Sequence, residues 1–283
     1  MQKQMMYANI GQTNCSLSET ERVYSVDSTQ NFSGLAQQYE LGRPAYAEKF
    51  IDTLYSKYGF GQESVIADIG SGTGKLAKQL LDRGSFVYCV EPNADMRNAA
   101  ADTLEGYEKL RIVDGAAAET GLDRQSVDFV TTAQAFHWFD PELFKRECRR
   151  ILRREGTVFL IWNIRDRSDE INQLSFEIYS EFCPDFKGFG GGIQKDDKRI
   201  QQFFDSRYEY LEFPHPLFYN RAQFISRSLS GSYSLKPGDK RYEEYIEALA
   251  SLYDKYEKDH ILEIANKTVV YIGTVSQIRE NES

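Results

Sequence analysis

The sequence predicts an α/β protein built on a mostly parallel sheet with helices on both faces. Three observations carry this. Short runs rich in β-branched and aromatic residues alternate with stretches of helical periodicity over residues 64–164, the pattern of successive strand–helix–strand units. A glycine-rich loop, Asp68-Ile69-Gly70-Ser71-Gly72-Thr73-Gly74, runs from the end of one strand into a helix. An acidic residue, Glu91, then closes the next strand, about twenty residues on.

Each element has its own justification. Pro44 opens a helical stretch whose Ala47, Phe50, Ile51 and Leu54 fall on one face. Residues 64–69 form an apolar strand, 75–82 a helix, 85–90 a strand, 95–104 a helix, and 110–113 and 127–132 two further strands. Asp140-Pro141 supplies an N-cap followed by proline at the first helical position. Leu143, Phe144, Cys148, Ile151 and Leu152 then make the apolar stripe of that helix, and 157–164 is a strongly apolar strand. Beyond Arg165 the order is irregular. Helices are expected over 169–183, 196–205, 221–230 and 240–258, strands over 208–213 and 267–272, and a glycine-rich loop over 188–192. The stretches 168–206 and 220–259 are expected to cap the carboxyl edge of the sheet, where ligands bind in this architecture. The organisation read from the chain is therefore a flexible arm over 1–31, a core with an N-terminal lid over 32–167, and cap helices with the final strands of the same sheet over 168–283.

Composition narrows the function. The chain has 283 residues, 41% hydrophobic and 27% charged, ordinary for a globular protein with a substantial core. No apolar run is long enough to cross a bilayer, and the first residues lack a signal-peptide core, so no membrane association is expected and a cytoplasmic setting is. The formal charge of -9 argues against a polyanionic partner such as nucleic acid. The one dense basic cluster, Lys145, Arg146, Arg149, Arg150, Arg153 and Arg154, reads as a solvated helix face. Cys15, Cys89, Cys148 and Cys183 have no metal-ligand or disulfide spacing, so no metal site is expected and reduced thiols are the simplest reading.

The chemistry sits in the loop. Glycines let the backbone turn tightly and approach a ligand, and the free N–H groups of the following helix favour negative charge. A Walker A loop is excluded, because Ile69 stands where its first glycine belongs and Leu76 replaces its hydroxyl. A dinucleotide site is disfavoured by the Gly-x-Gly-x-Gly spacing, with Lys75 at the place of the third glycine. A nucleoside with an amino-acid tail fits better. Asp68 would repel a pyrophosphate but can accept from an ammonium group, and Glu91 can accept from ribose hydroxyls.

With these residues in view, Asp68 to Gly74 resembles the first motif of class I S-adenosylmethionine (SAM)-dependent methyltransferases. Glu91-Pro92-Asn93 with Met96 resembles the second motif of their small-molecule branch, the type 11 group. The resemblance implies that the acid takes the ribose and that the methionine packs near the adenine. Gly115-Ala116-Ala117 sits where the third motif lines the adenine, with Ala116 at a place where Asp is common. Gln134-Ala135-Phe136-His137-Trp138-Phe139 resembles the stretch after the fourth strand in relatives of trans-aconitate methyltransferase and the ubiquinone-biosynthesis group. Tyr39, Arg43, Pro44 and Tyr46 resemble the same group's N-terminal element, which closes over the cofactor. The likeness covers residues 32–163. It implies a Rossmann-like sheet of seven strands with the last one antiparallel. It also implies SAM as cofactor, S-adenosylhomocysteine as product, and a small-molecule acceptor. Ser71, Thr73 and the loop glycines would meet the amino-acid end of the cofactor, and Gln134 and Ala135 would line the site.

His137 is the candidate catalytic group, since histidine best exchanges a proton near neutral pH. An oxygen acceptor suits a neutral imidazole better than nitrogen or carbon. His215, between two prolines, reads as structural, and His260 as a surface residue. Tyr208, Tyr210, Phe213, Phe218 and Tyr219 read as sheet core.

Overall fold

The computed structural model of the protein describes residues 44–189, 195–231 and 233–275. The expected arm, most of the expected lid, Tyr39 and Arg43 lie outside the described residues. The described elements run α1 (Glu48–Lys57), β1 (Val65–Ile69), α2 (Lys75–Asp82), β2 (Phe86–Val90), α3 (Ala94–Thr103), β3 (Leu110–Val113), β4 (Val127–Ala133), α4 (Pro141–Ile151) and β5 (Leu152–Arg165). Then follow α5 (Glu170–Phe182), α6 (Lys198–Phe203), β6 (Glu209–Pro214), β7 (Leu217–Tyr219), α7 (Arg221–Leu229), α8 (Tyr242–Tyr256), β8 (Leu262–Ile264) and β9 (Asn266–Thr274).

Seven strands form one sheet in the order β3-β2-β1-β4-β5-β9-β6. β1 pairs in parallel with β2 and β4, β2 with β3, and β4 with β5. β9 lies antiparallel to both of its neighbours, β5 and β6, as expected of the last strand. The chain winds from β1 outward to β3, then crosses back to β4. The carboxyl ends of β1 and β4 therefore border the switch point where such sheets open a crevice.

Alternation along β5 shows why both faces are covered. Val158, Leu160 and Trp162 join one cluster with Phe144 and Cys148 of α4 and with Ile200 and Phe203 of α6. Phe159 and Ile161 join the opposite cluster with Phe50 and Leu54 of α1 and with Leu76 and Leu80 of α2. Each fully buried side chain of this size contributes about 1.5–3 kcal/mol. A third cluster, including Tyr179, Phe224, Tyr245 and Leu249, holds α5, α7 and α8 together with the small β7–β8 ribbon. Asn172, near the start of α5, donates to the carbonyls of Asp166 and Ala265 at 2.9 and 2.7 Å, which fixes this helical layer beside the carboxyl end of β5.

Four expectations change. The helix expected over 196–205 packs on the sheet rather than in the cap layer, because the Phe203 ring stacks on Phe144 of α4 at 5.3 Å. β5 begins at Leu152 rather than 157. The charged stretch before Gly156 continues as strand through a register irregularity opposite Val127 and Phe129. Gly156 is required there, since a Cβ would lie 3.0 Å from the Asp128 carbonyl oxygen. The basic cluster is only partly a solvated face: Arg146 and Arg153 are exposed, whereas Lys145 is buried against Asp205 at 2.7 Å. Arg150 pairs with Glu147 at 2.8 Å and Arg153 with Asp128 at 2.7 Å. Finally, Phe218 is exposed on β7 rather than in the sheet core, whereas Phe213 is buried. The expected N-cap is present, with Asp140 accepting from Glu142 N and Leu143 N at 2.9 Å. Among the described residues no helix is long and apolar enough to cross a membrane.

Candidate functional site

The loop after β1 turns because Gly70, Gly72 and Gly74 adopt φ of +68°, +56° and +82°, a region costly for side-chain-bearing residues. Its glycines serve different ends. A Cβ on Gly70 would stand 2.7 Å from the Ala135 Cβ, and one on Gly74 2.6 Å from Leu104 Cδ1. A Cβ on Gly72 would meet nothing within 4 Å. Gly70 and Gly74 thus press against the protein, while Gly72 borders open space. Thr73 is buried, and Gly74 is the N-cap of α2 without a side-chain cap, which leaves the first backbone N–H groups of that helix directed at the loop.

Two buried acids flank this loop. Asp68 lies at the end of β1, 1% exposed; its Oδ1 accepts from the Thr131 hydroxyl at 2.8 Å. Its Oδ2 is buried with no partner among the described residues. Burial pushes this carboxyl up to about 7, opposed by the Thr131 bond and aided by the charge of Glu91. Glu91 closes β2 at 8% exposure. It accepts from Gly72 N through Oε2 and from Asn93 N through Oε1, both at 3.0 Å. Burial raises its pKa as well, while those backbone bonds and Arg97 pull it down. Asn93 also caps α3 by accepting from Met96 N at 3.0 Å, which places the buried Met96 on the first turn beside Pro92.

The other expected residues fall around this centre. Gly115 and Ala117 are partly buried in the loop after β3; Ala116 is exposed and forms an isolated bridge with Glu119. Gln134 follows β4 at φ +58°, donating its side-chain amide to the Asn163 carbonyl at 2.9 Å. Ala135 follows against Gly70. His137 lies in a short 3-10 turn, Phe136–Trp138, with its ring 4.9 Å from that of Trp138. Tyr46 is buried in the α1–α2 layer, its backbone bonded in both directions to the Gln79 side chain at 3.0 and 2.9 Å. Tyr39 and Arg43 fall outside the described residues.

Several residues that the sequence did not single out hold this arrangement. Thr131 fixes Asp68. Arg97 donates to the Glu91 carbonyl and to Asp114, both at 2.9 Å. Asn163, near the carboxyl end of β5, donates to the Ala45 carbonyl at 2.8 Å and accepts from Thr268 at 2.7 Å. His215 approaches the same Ala45 carbonyl with Nε2 at 2.9 Å, which makes it structural as expected. The segment leading into α1 is thereby tied to the edge at which the loop and both acids converge. Arg97 falls one turn after the N-cap Asn93, and that spacing could have flagged it; Thr131 carries no such mark.

An open, mostly parallel sheet with this order, a glycine loop after β1 and an acid following β2 are the architecture of the Rossmann-like methyltransferase class. The methyltransferase domain family matches residues 67–160. An uncharacterized methyltransferase of Schizosaccharomyces pombe is 34% identical over 199 residues, 68% of this chain and 72% of that protein. One of Mycobacterium tuberculosis is 38% identical over 140 residues, 50% of this chain and 55% of that protein. The chain thus spans about half the length of such mycobacterial relatives. Two solved structures share the fold at a TM-score of 0.58. One is a protein of Anaeromyxobacter dehalogenans described as a type II methyltransferase, 18% identical, covering 82% of this chain and 98% of that one. The other is a protein of Anabaena variabilis described as an antibiotic-pathway methyltransferase, 21% identical, covering 83% and 99%. The chain belongs to the SAM-dependent methyltransferase family.

Proposed function

We propose that this protein moves the sulfonium methyl of SAM to a small-molecule acceptor and releases S-adenosylhomocysteine. The observation that carries the reading is the pair of buried acids, Asp68 and Glu91, flanking the open cradle at Gly72. The residues fit the cofactor. Glu91 has both oxygens oriented by backbone N–H groups and keeps acceptor capacity for two ribose hydroxyls. The unpartnered Oδ2 of Asp68 and the backbone of Gly70, Ser71, Gly72, Thr73 and Gly74 suit the amino-acid end. Met96, Pro92, Asn93 and Gly115 to Ala117 form the adenine side. Gln134 and Ala135 make the floor, Tyr39 and Arg43 belong to the closing lid over 32–46, and the buried Tyr46 is the lid's fixed end against α2.

When bound, the sulfonium supplies the electrophile. The chain's own part is alignment and exclusion of water, together with proton handling by His137 if the acceptor gives up a proton. An oxygen acceptor is the first choice, because a neutral imidazole suits a hydroxyl. The net charge of -9 supports a small molecule over a polyanion. A cytoplasmic setting stays part of the proposal on the strength of cysteines outside any disulfide, among them Cys89, Cys148 and Cys183.

Calorimetry tests the binding step. The wild type is expected to bind S-adenosylhomocysteine, and Glu91→Ala to weaken it about a hundredfold, since two charge-assisted hydrogen bonds are lost. Unchanged affinity in a folded variant removes Glu91 from the ribose, and tight binding of NADH by the wild type overturns the reading. Hydrogen exchange should show residues 32–46 gaining protection when S-adenosylhomocysteine is added; equal exchange in both states rejects the lid.

A further inference from the structure

Arg165 is the last residue of β5, and its side chain enters the aromatic cluster of the cap. The guanidinium carbon stands 4.3 Å from the centre of the Phe189 ring and 5.8 Å from that of Tyr179. Its Nη1 is buried with no hydrogen-bond partner among the described residues. A second cation shares the neighbourhood. The Tyr233 hydroxyl is pushed up to about 12 by burial, while Arg165 and Arg227 both pull it down.

A guanidinium that serves only to brace the fold normally spends its donors on carbonyls or carboxylates, because a desolvated donor left unmet costs free energy. Here the ring faces hold the plane of the fork while Nη1 stays shielded from water and meets no acceptor among the described residues. A rigid, partly dehydrated fork is what bidentate capture of a planar oxyanion needs. Space for a ligand adjoins it. A cavity of about 370 Å³ is lined by Asn172, Gln173, Phe176 and Glu177 of α5 together with Arg167 and Phe189, a volume that suits a small organic molecule. The Glu177 carboxylate leaves the Arg165 and Arg167 end as the side for an anion. Phe189 both carries the Arg165 guanidinium and borders this cavity. The Oδ1 of Asn172, also buried, has no partner among the described residues.

We propose that Arg165 anchors a carboxylate-like anionic group of the methyl acceptor, whose apolar body lies among Phe176, Tyr179, Phe186 and Phe189. The anion is a handle that selects and orients the molecule, separate from the atom that takes the methyl. This rests on the methyl-transfer reading, since the cap then covers the acceptor. It narrows the acceptor from any small molecule to an apolar acid.

The probes are cinnamate, 3-phenylpropionate and octanoate, each paired with its neutral primary amide and titrated calorimetrically into the full chain, with and without S-adenosylhomocysteine. At least one acid is expected to bind the wild type about tenfold or more tighter than its amide. Arg165→Gln should erase that preference while S-adenosylhomocysteine affinity stays within about twofold, and Arg165→Lys should keep part of it. Acids and amides binding the wild type alike, no acid binding at all, or a preference that survives in Arg165→Gln would each overturn the proposal. The wild-type comparison stands even if the Gln variant fails to fold. If the wild type ignores S-adenosylhomocysteine, the methyl-transfer reading falls, and the titrations made without it still decide the role of Arg165.

Discussion

Asp68 shows how burying a single acid costs stability, a cost that the proposed function puts to use in binding. In the folded chain its pKa is pushed up to about 7. Between pH about 4 and 7 the unfolded chain gives up this proton while the folded chain keeps it, so its contribution to stability falls across that window and levels off above it. Asp68→Asn keeps the shape without the charge. It is expected to raise the melting temperature of the ligand-free protein on the order of 5 °C at pH 8 and little at pH 5. A difference that does not change with pH refutes this account. The same substitution should weaken S-adenosylhomocysteine binding, because a cationic amino group favours the ionised carboxylate; wild-type affinity should therefore improve as pH rises toward 7. His137 is tested at the same scale: full turnover by His137→Ala on the true acceptor would reduce it to a lining residue. Both acids were legible in the sequence, because the end of a strand beside a glycine loop gives a carboxylate a reason to be there. Thr131 was not, since a threonine in a β-strand is ordinary and only the register beside Asp68 reveals its bond.

Under the proposed function, the five-residue loop between β1 and α2 separates folding from binding. Gly74→Ala combines a left-handed φ with a Cβ 2.6 Å from the buried Leu104 side chain, and is expected to destabilise the fold by about 1–3 kcal/mol. Gly72→Ala meets open space. It should cost about 1 kcal/mol of stability for its backbone strain alone, yet weaken S-adenosylhomocysteine binding at least as much as Gly74→Ala does. Paired denaturation and calorimetry check both, and equal stability losses would reject the division of labour. Most helices were legible from the spacing of their apolar residues and their caps. β7 and β8 were not, because three-residue strands are too short to display a period. The start of β5 was hidden because Arg153 to Gly156 carries the composition of a turn, while the backbone continues in the sheet.

At the level of the whole molecule, the carboxyl-terminal half completes the sheet. β9 lies between β5 and β6, and its Thr268 accepts from Ala47 N at 2.9 Å. A chain ending after residue 206 keeps every residue assigned to the cofactor, but it loses β9 and leaves β5 as a long apolar edge. It is expected to be insoluble or to unfold without cooperativity, and a truncated chain that binds S-adenosylhomocysteine normally would contradict this. The parallel strands were legible in the alternation of strand and helix; the antiparallel direction of the last strand came only from resemblance, and its place between β5 and β6 came from the structure, since nothing local in residues 266–274 specifies its neighbours. The bond between Ala47 and Thr268 spans 221 residues, and this bears on synthesis at the ribosome. The segment entering α1 emerges first, and one of its anchors emerges 221 residues later. That anchor forms only once Thr268 has left the ribosome, and until β9 arrives the unpaired edge of β5 is open to chaperones.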